Sequence, residues 1–165
     1  KPVAIILSGN DASYPNLPMF EYNGEYELIR KSKIPILGIC CCHQQLAMAY
    51  GYTYARSMGW EDITALEDAN TRTEIEIVKD DPIFKGMTSP FTAVEIHGWA
   101  VVVVPEDHQL IARSSYVQAI KSNTKFLYGE QFHGEIKAPY NDGRKYLENF
   151  LRMVVSRAKA DSVRD

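Results

Sequence analysis

One stretch constrains this chain more than any other: Ile34-Pro35-Ile36-Leu37-Gly38-Ile39 runs without a break into Cys40-Cys41-Cys42-His43-Gln44. A short, continuous apolar run reads as a strand buried on both faces. Pro35 is tolerated because it stands at the strand's start. From Cys42 to Tyr50 there is no helix breaker, and Gly51 supplies the stop, so this segment reads as a helix. A strand that passes into a helix with no loop must turn sharply at an elbow. There the two backbones crowd each other, and the residues two before and two after the apex are small. Gly38 meets that demand and Cys42 half meets it, which puts Cys40 at the apex, beside a helix N-terminus whose partial positive charge attracts anions.

The flanking sequence repeats the pattern. Val3 to Leu7 is a second apolar strand ending in the turn cluster Ser8-Gly9-Asn10-Asp11. Residues 11 to 20, with Pro15 and Pro18, read as a loop. Tyr22 to Lys33 reads as a helix with Tyr26, Ile29 and Leu28 inward. Strand, helix, strand, helix with apolar strands predicts a parallel sheet covered on both faces. The second half is richer in strands: Thr73 to Val78, alternating and half exposed, then Phe91 to Ile96, Ala100 to Val104, Leu110 to Arg113, Gln118 to Lys121 and Phe126 to Phe132. A helix of about four turns follows, from Asp142 to Ala158, with Tyr146, Leu147, Phe150, Leu151, Val154 and Val155 on one face. Lys159 to Asp165 is polar and expected to fray. The expectation is one α/β domain over residues 1–165, a mainly parallel, doubly covered sheet with an added antiparallel section.

Composition narrows the function classes. At 45% hydrophobic and 24% charged residues, the chain has a globular balance that excludes a disordered one. A net charge of −3 and no basic stripe give no reason to seek nucleic acid. The longest apolar runs, such as Ala100 to Val104, are too short to span a bilayer, and no signal peptide is visible. The three cysteines are consecutive, a spacing that rarely suits a mutual disulfide and that points to a reducing, cytoplasmic setting. Cys-Cys-Cys-His lacks the second, distant ligand pair of a zinc site, so no metal is expected.

A cysteine nucleophile needs a base, and the base an orienting acceptor. Of the four histidines, His133 ends a predicted strand with Glu135 two residues on, where both side chains project to one side of an extended segment. His43 and His97 compete for the role; His43, three residues after Cys40 and on the new helix, is expected to point away from Cys40. His108 reads as a surface residue in a polar loop.

These segments together resemble a known family. Gly38-Ile39-Cys40-Cys41-Cys42-His43-Gln44 resembles the G-I-C-x-G-x-Q segment of class I glutamine amidotransferases, and Tyr128-Gly129-Glu130-Gln131-Phe132-His133-Gly134-Glu135 resembles their G-x-Q-F-H-P-E segment. His97-Gly98-Trp99-Ala100-Val101 resembles H-G-(F/Y/W)-A-V, and Ile6-Leu7-Ser8-Gly9 resembles the strand and turn that open the substrate pocket. The four occur in family order, from about Val3 to about Val155. The resemblance implies a flavodoxin-like fold with Cys40 as nucleophile, His133 as base and Glu135 as its partner. It implies oxyanion donors at the Cys41 amide and the Gly9–Asn10 turn. Gln44, with the main chain at Gly98 and Trp99, would grip the amino-acid end of glutamine.

The implied reaction is hydrolysis of the glutamine side-chain amide through a thioester, with no cofactor, and transfer of ammonia to a synthetase domain or subunit. No G-x-x-x-x-G-K-S/T loop appears, so any synthetase chemistry lies elsewhere. The family's opening strand, helix and second strand have no counterpart ahead of Lys1. Four positions depart from the pattern. Cys42 replaces the elbow Gly, at a cost of about 1–3 kcal/mol unless the packing relaxes. Asn10 and Asp11 replace Gly-Pro in the turn, Asp11 adding negative charge, and Gly134 replaces Pro and loosens the segment that aims His133. Two alternatives stand beside this reading: a γ-glutamyl hydrolase, and a catalytically weak domain that binds glutamine or a partner and regulates it.

Overall fold

The computed structural model describes residues 2–10, 19–51 and 72–163. The expected loop prolines Pro15 and Pro18, and Asp11, lie outside the described residues. The elements run β1 (Ile5–Leu7), α1 (Asn23–Lys31), β2 (Ile36–Ile39), α2 (Cys41–Ala49), β3 (Arg72–Ile77), β4 (Phe91–Val94), β5 (His108–Arg113), β6 (Val117–Ser122), β7 (Leu127–Glu130) and α3 (Gly143–Ser162). The described strands form one seven-stranded sheet in the order β1-β2-β7-β6-β5-β3-β4. β1, β2 and β7 are parallel, with Ile5 opposite Ile36 and Ile36 opposite Leu127. From β7 outward every pairing is antiparallel. The α/β fold is as expected, but its antiparallel section is the larger share of the sheet.

Alternation along the strands divides the core between two faces. Leu37, Ile39, Ile75, Ile111 and Tyr128 pack on one face with Tyr146, Phe150 and Val154 of α3. Ile36, Ile120 and Leu127 pack on the other with Tyr26 and Ile29 of α1 and Leu46, Ala47 and Ala49 of α2. Helices therefore cover both faces. On the second face Gly38 and Gly129 stand side by side in register. A Cβ on Gly38 would lie 2.8 Å from the Cys42 carbonyl oxygen, and one on Gly129 would lie 2.5 Å from His43 Nδ1. The missing side chains let α2 lie directly on the sheet, which is what makes the elbow possible.

Several local expectations are corrected. Ala100 to Val104 is not a strand: Val101 makes one isolated bridge to Val117, and Val102 and Val103 are exposed. Phe91 to Ile96 is a strand only to Val94, because residues 95–98 leave the sheet to line the site described below. Leu28 faces outward, as do Leu151 and Val155, since the side of α3 that packs on the core carries Tyr146, Phe150 and Val154, flanked by partly buried Leu147 and Met153. α3 runs past Ala158 to Ser162, helped by an Arg157–Asp161 pair at i, i+4. His108 opens β5 and is buried rather than on the surface. No described helix is long and apolar enough to cross a membrane, and the three cysteines are free thiols.

Candidate active site

The C-terminal ends of the parallel strands β1, β2 and β7 converge, the usual position of a site in an open α/β sheet. Cys40 caps α2 with φ 52° and ψ −107°, and among the described residues it is the one non-glycine with positive φ. Such a backbone costs on the order of 1–3 kcal/mol and persists only where neighbours impose it. Here the Cys40 N–H donates to the Glu130 carbonyl at 2.7 Å, while its own carbonyl accepts from the Gln44 N–H at 3.2 Å. The elbow is thus fixed from both the sheet and the helix. The Cys40 thiol donates to the Ile96 carbonyl at 3.5 Å.

His133 follows β7 on a short segment clamped at both ends. Its N–H donates to the Val94 carbonyl at 2.8 Å, and its carbonyl accepts from Asn141 Nδ2 at 2.8 Å. The imidazole reaches three groups. Nδ1 is 2.7 Å from Glu135 Oε1, Nε2 is 3.3 Å from the Ile96 carbonyl, and the ring hydrogen-bonds Cys40. Burial opposes a charge on His133, but the hydrogen bonds and charges of Cys40 and Glu135 outweigh it and lift its pKa to about 10. Burial likewise opposes the Glu135 charge, and the bond to His133 overrides it, holding that carboxyl below its usual range. Gly9, at the end of β1, closes the other side: a Cβ there would stand 3.2 Å from Cys40 Cβ and 3.6 Å from His133 Cε1.

The remaining expected residues occupy three places. Gln44 joins α2 to the loop after β4, its Nε2 donating to the Trp99 carbonyl and, at 3.2 Å, to Gln131 Oε1. Gly98 and Trp99 are half-buried in that loop. Cys41 is buried, its sulfur accepting from Gln45 Nε2 at 3.9 Å. Asn10 is exposed, with its Nδ2 donating to Tyr22 Oη at 3.5 Å. The Cys42 side chain leaves the strand–helix contact, which is made by its backbone, and donates to the Ser8 carbonyl at 2.8 Å.

The rival histidines have other partners. His43 is fully buried, bonds the Val117 carbonyl at 3.2 Å and is driven to a pKa of about 3 by burial, which makes it a neutral core residue. His97 Nε2 is 3.0 Å from Glu95 Oε1, and that carboxylate also accepts from Thr73 Oγ1 and Gln118 Nε2. Sequence reasoning missed Glu95, Ile96, Glu130 and Gln131. The last two lie inside a recognised motif; Glu95 gave a signal as a charged residue within an apolar run, whereas the Ile96 carbonyl gave none.

The model of the glutamine amidotransferase class-I family matches residues 2–154. The chain belongs to the class I glutamine amidotransferases. Among curated members of that family, a glutamine-hydrolysing GMP synthase subunit from Methanothermobacter thermautotrophicus is 35% identical over 152 residues, which span 90% of this chain and 73% of that protein. Its namesake in Methanobrevibacter smithii is 32% identical over 97% of this chain and 77% of its own length. Among solved structures, a Thermoplasma acidophilum protein described as the same type of GMP synthase subunit superposes with a TM-score of 0.79 at 25% identity, over 96% of this chain and 76% of that one. A Thermotoga maritima glutamine amidotransferase shares the fold with a TM-score of 0.64 at 21% identity, over 98% of this chain and 66% of that one. Membership makes this an amidotransferase-class enzyme with the α/β fold expected from its motifs.

Proposed function

We propose that the chain hydrolyses the side-chain amide of glutamine and supplies the ammonia to the synthetase subunit of a GMP synthase. The observation that carries the first part is the convergence of a strained Cys40, His133 and Glu135 at the ends of three parallel strands. The acceptor is suggested by the relatives' names.

In this reading the one proton of the Cys40–His133 pair rests on His133 as the Cys40 sulfur attacks the amide carbon of glutamine. The developing oxyanion lies between the Cys41 amide, first in α2, and an amide of the Gly9–Asn10 turn, where the helix N-terminus favours negative charge. Glu135 keeps His133 in one tautomer and stabilises its protonated form. The C–N bond breaks as His133 Nε2 returns the proton to the departing nitrogen, giving ammonia and a Cys40 thioester. Water, deprotonated by His133, then releases glutamate. Gln44 and the main chain at Gly98 and Trp99 hold the amino-acid end of the substrate.

The accommodation of Cys42 beside Ser8 and the tight seating of Gly134 support a working enzyme over a decayed regulator. The test is glutaminase turnover by the protein alone, and glutamine-dependent GMP formation after mixing with its synthetase subunit. Turnover abolished by Cys40→Ala is the expected result. A wild-type protein that binds glutamine without hydrolysing it, with or without that synthetase, sinks the reading.

A further inference from the structure

The Ile96 main-chain carbonyl belongs to no motif, yet it stands 3.5 Å from the Cys40 sulfur and 3.3 Å from His133 Nε2. These three atoms surround the place a departing group must occupy, since it is bonded to the carbon under attack by sulfur and takes its proton from Nε2. The carbonyl sits there because both neighbours are tied down. Glu95 accepts from His97, Thr73 and Gln118, and Gln118 Nε2 also reaches Ser114 Oγ at 2.8 Å. Only 13% of the Glu95 side chain and 3% of the His97 side chain are exposed. A buried network of this kind fixes one arrangement, because breaking any bond strands a buried polar group.

We propose that the Ile96 carbonyl accepts an N–H of the substrate's leaving amide and so selects an amide over an ester or carboxylate, with Glu95 and His97 as positioning residues that aim it. The proposal rests on the glutaminase reading above. As sulfur adds to the carbonyl carbon, the amide nitrogen becomes pyramidal and gains a lone pair. With one N–H held by Ile96, rotation about the C–N bond is restricted and the lone pair faces His133 Nε2, from which it takes the proton as the bond breaks. Once ammonia has left, a water in the same place gives one hydrogen to Ile96 and the other to Nε2, presenting its oxygen to the thioester. The glutamate product puts an oxygen, not an N–H, against the carbonyl, which favours its release.

The test compares steady-state hydrolysis of glutamine and of glutamate γ-methyl ester, which has no N–H to offer. In Glu95→Ala, kcat/KM for glutamine is expected to fall by more than about tenfold while the ester stays within about threefold. Glu95→Gln, whose side-chain oxygen still accepts from His97, keeps glutamine turnover within about threefold of wild type. Equal loss on both substrates would mean a merely structural role and overturns the proposal. The unmodified protein provides a second reading that needs no variant: the ester, although chemically the more reactive, is turned over no faster than glutamine. An ester preferred by more than about tenfold overturns the proposal and leaves the glutaminase reading intact. Failure of wild type on both substrates removes the two together.

Discussion

A Cβ on Gly134 would stand 2.6 Å from the carbonyl oxygen of Gly143, so the turn that carries His133 lies backbone to backbone against the first residue of α3. The residues alone suggest that glycine in place of proline loosens this turn. The structure corrects that: Gly134 is buried, and Asn141 Nδ2 bonds the carbonyls of His133 and Ile136, each at 2.8 Å. Rigidity comes from close approach and side-chain hydrogen bonds rather than from a proline ring. Gly134→Ala and Gly134→Pro both introduce the forbidden Cβ. Each is expected to cost about 1–3 kcal/mol of stability and to lower glutamine turnover by displacing His133. Thermal melts and kcat check this; a stabilising proline would show that the turn is not so closely packed.

Cys40 is expected to be the one cysteine needed for catalysis. Cys40→Ala should abolish hydrolysis with the fold intact. Cys41→Ser should keep most activity, because its thiol faces Gln45 within the buried face of α2 and the proposed mechanism uses only its amide. Equal inactivity of the two variants would reassign the nucleophile.

His133→Ala is expected to remove acid–base help worth about 10²–10⁴-fold in rate. Glu135→Gln should cost less, with a signature in pH. Glu135 helps to raise the His133 pKa to about 10, so protonated His133 persists in the wild type up to that region. Without the carboxylate charge the pKa drops, and the alkaline fall in kcat moves to lower pH. A pH–rate profile unchanged by Glu135→Gln would count against the pairing.

Cys42→Gly restores the family residue at the elbow but removes a buried side chain and its bond to Ser8. Stability should fall, by about 1–3 kcal/mol, while kcat changes less than tenfold, or about 1.4 kcal/mol of barrier. Denaturant midpoints and turnover of the same variant separate the two effects.

His43 makes the fold sensitive to acid. Its folded pKa of about 3 lies below the ordinary 6.5 because burial disfavours the charge. Between those values the unfolded chain binds the extra proton, so this group's contribution to stability is complete above pH 6.5 and is lost as pH falls toward 3. His43→Gln, whose amide can still reach the Val117 carbonyl, should flatten that slope in pH-dependent melts.

Elements with a local cause were legible in the residues alone. Apolar runs made β1, β2 and β7, the 3.6-residue repeat made α3, and Gly38 with Cys40 made the elbow. The ordered motifs also grouped Cys40, His133 and Glu135 into one expected site. Whatever depends on partners distant in the chain was settled by packing instead. Ala100 to Val104 has the composition of a strand but finds a single bridging partner, so it remains a loop. His108 looks polar and local, yet β6 pairs with it and buries it. Cys42 and Gly134 looked like defects because their compensations, Ser8 and Gly143, are 34 and 9 positions away. The Ile96 carbonyl lay beyond any sequence reading. Every residue has a carbonyl, and it is tertiary packing that brings this one, beside the bonded Glu95 and His97 pair, to 3.5 Å from the Cys40 sulfur and 3.3 Å from His133 Nε2.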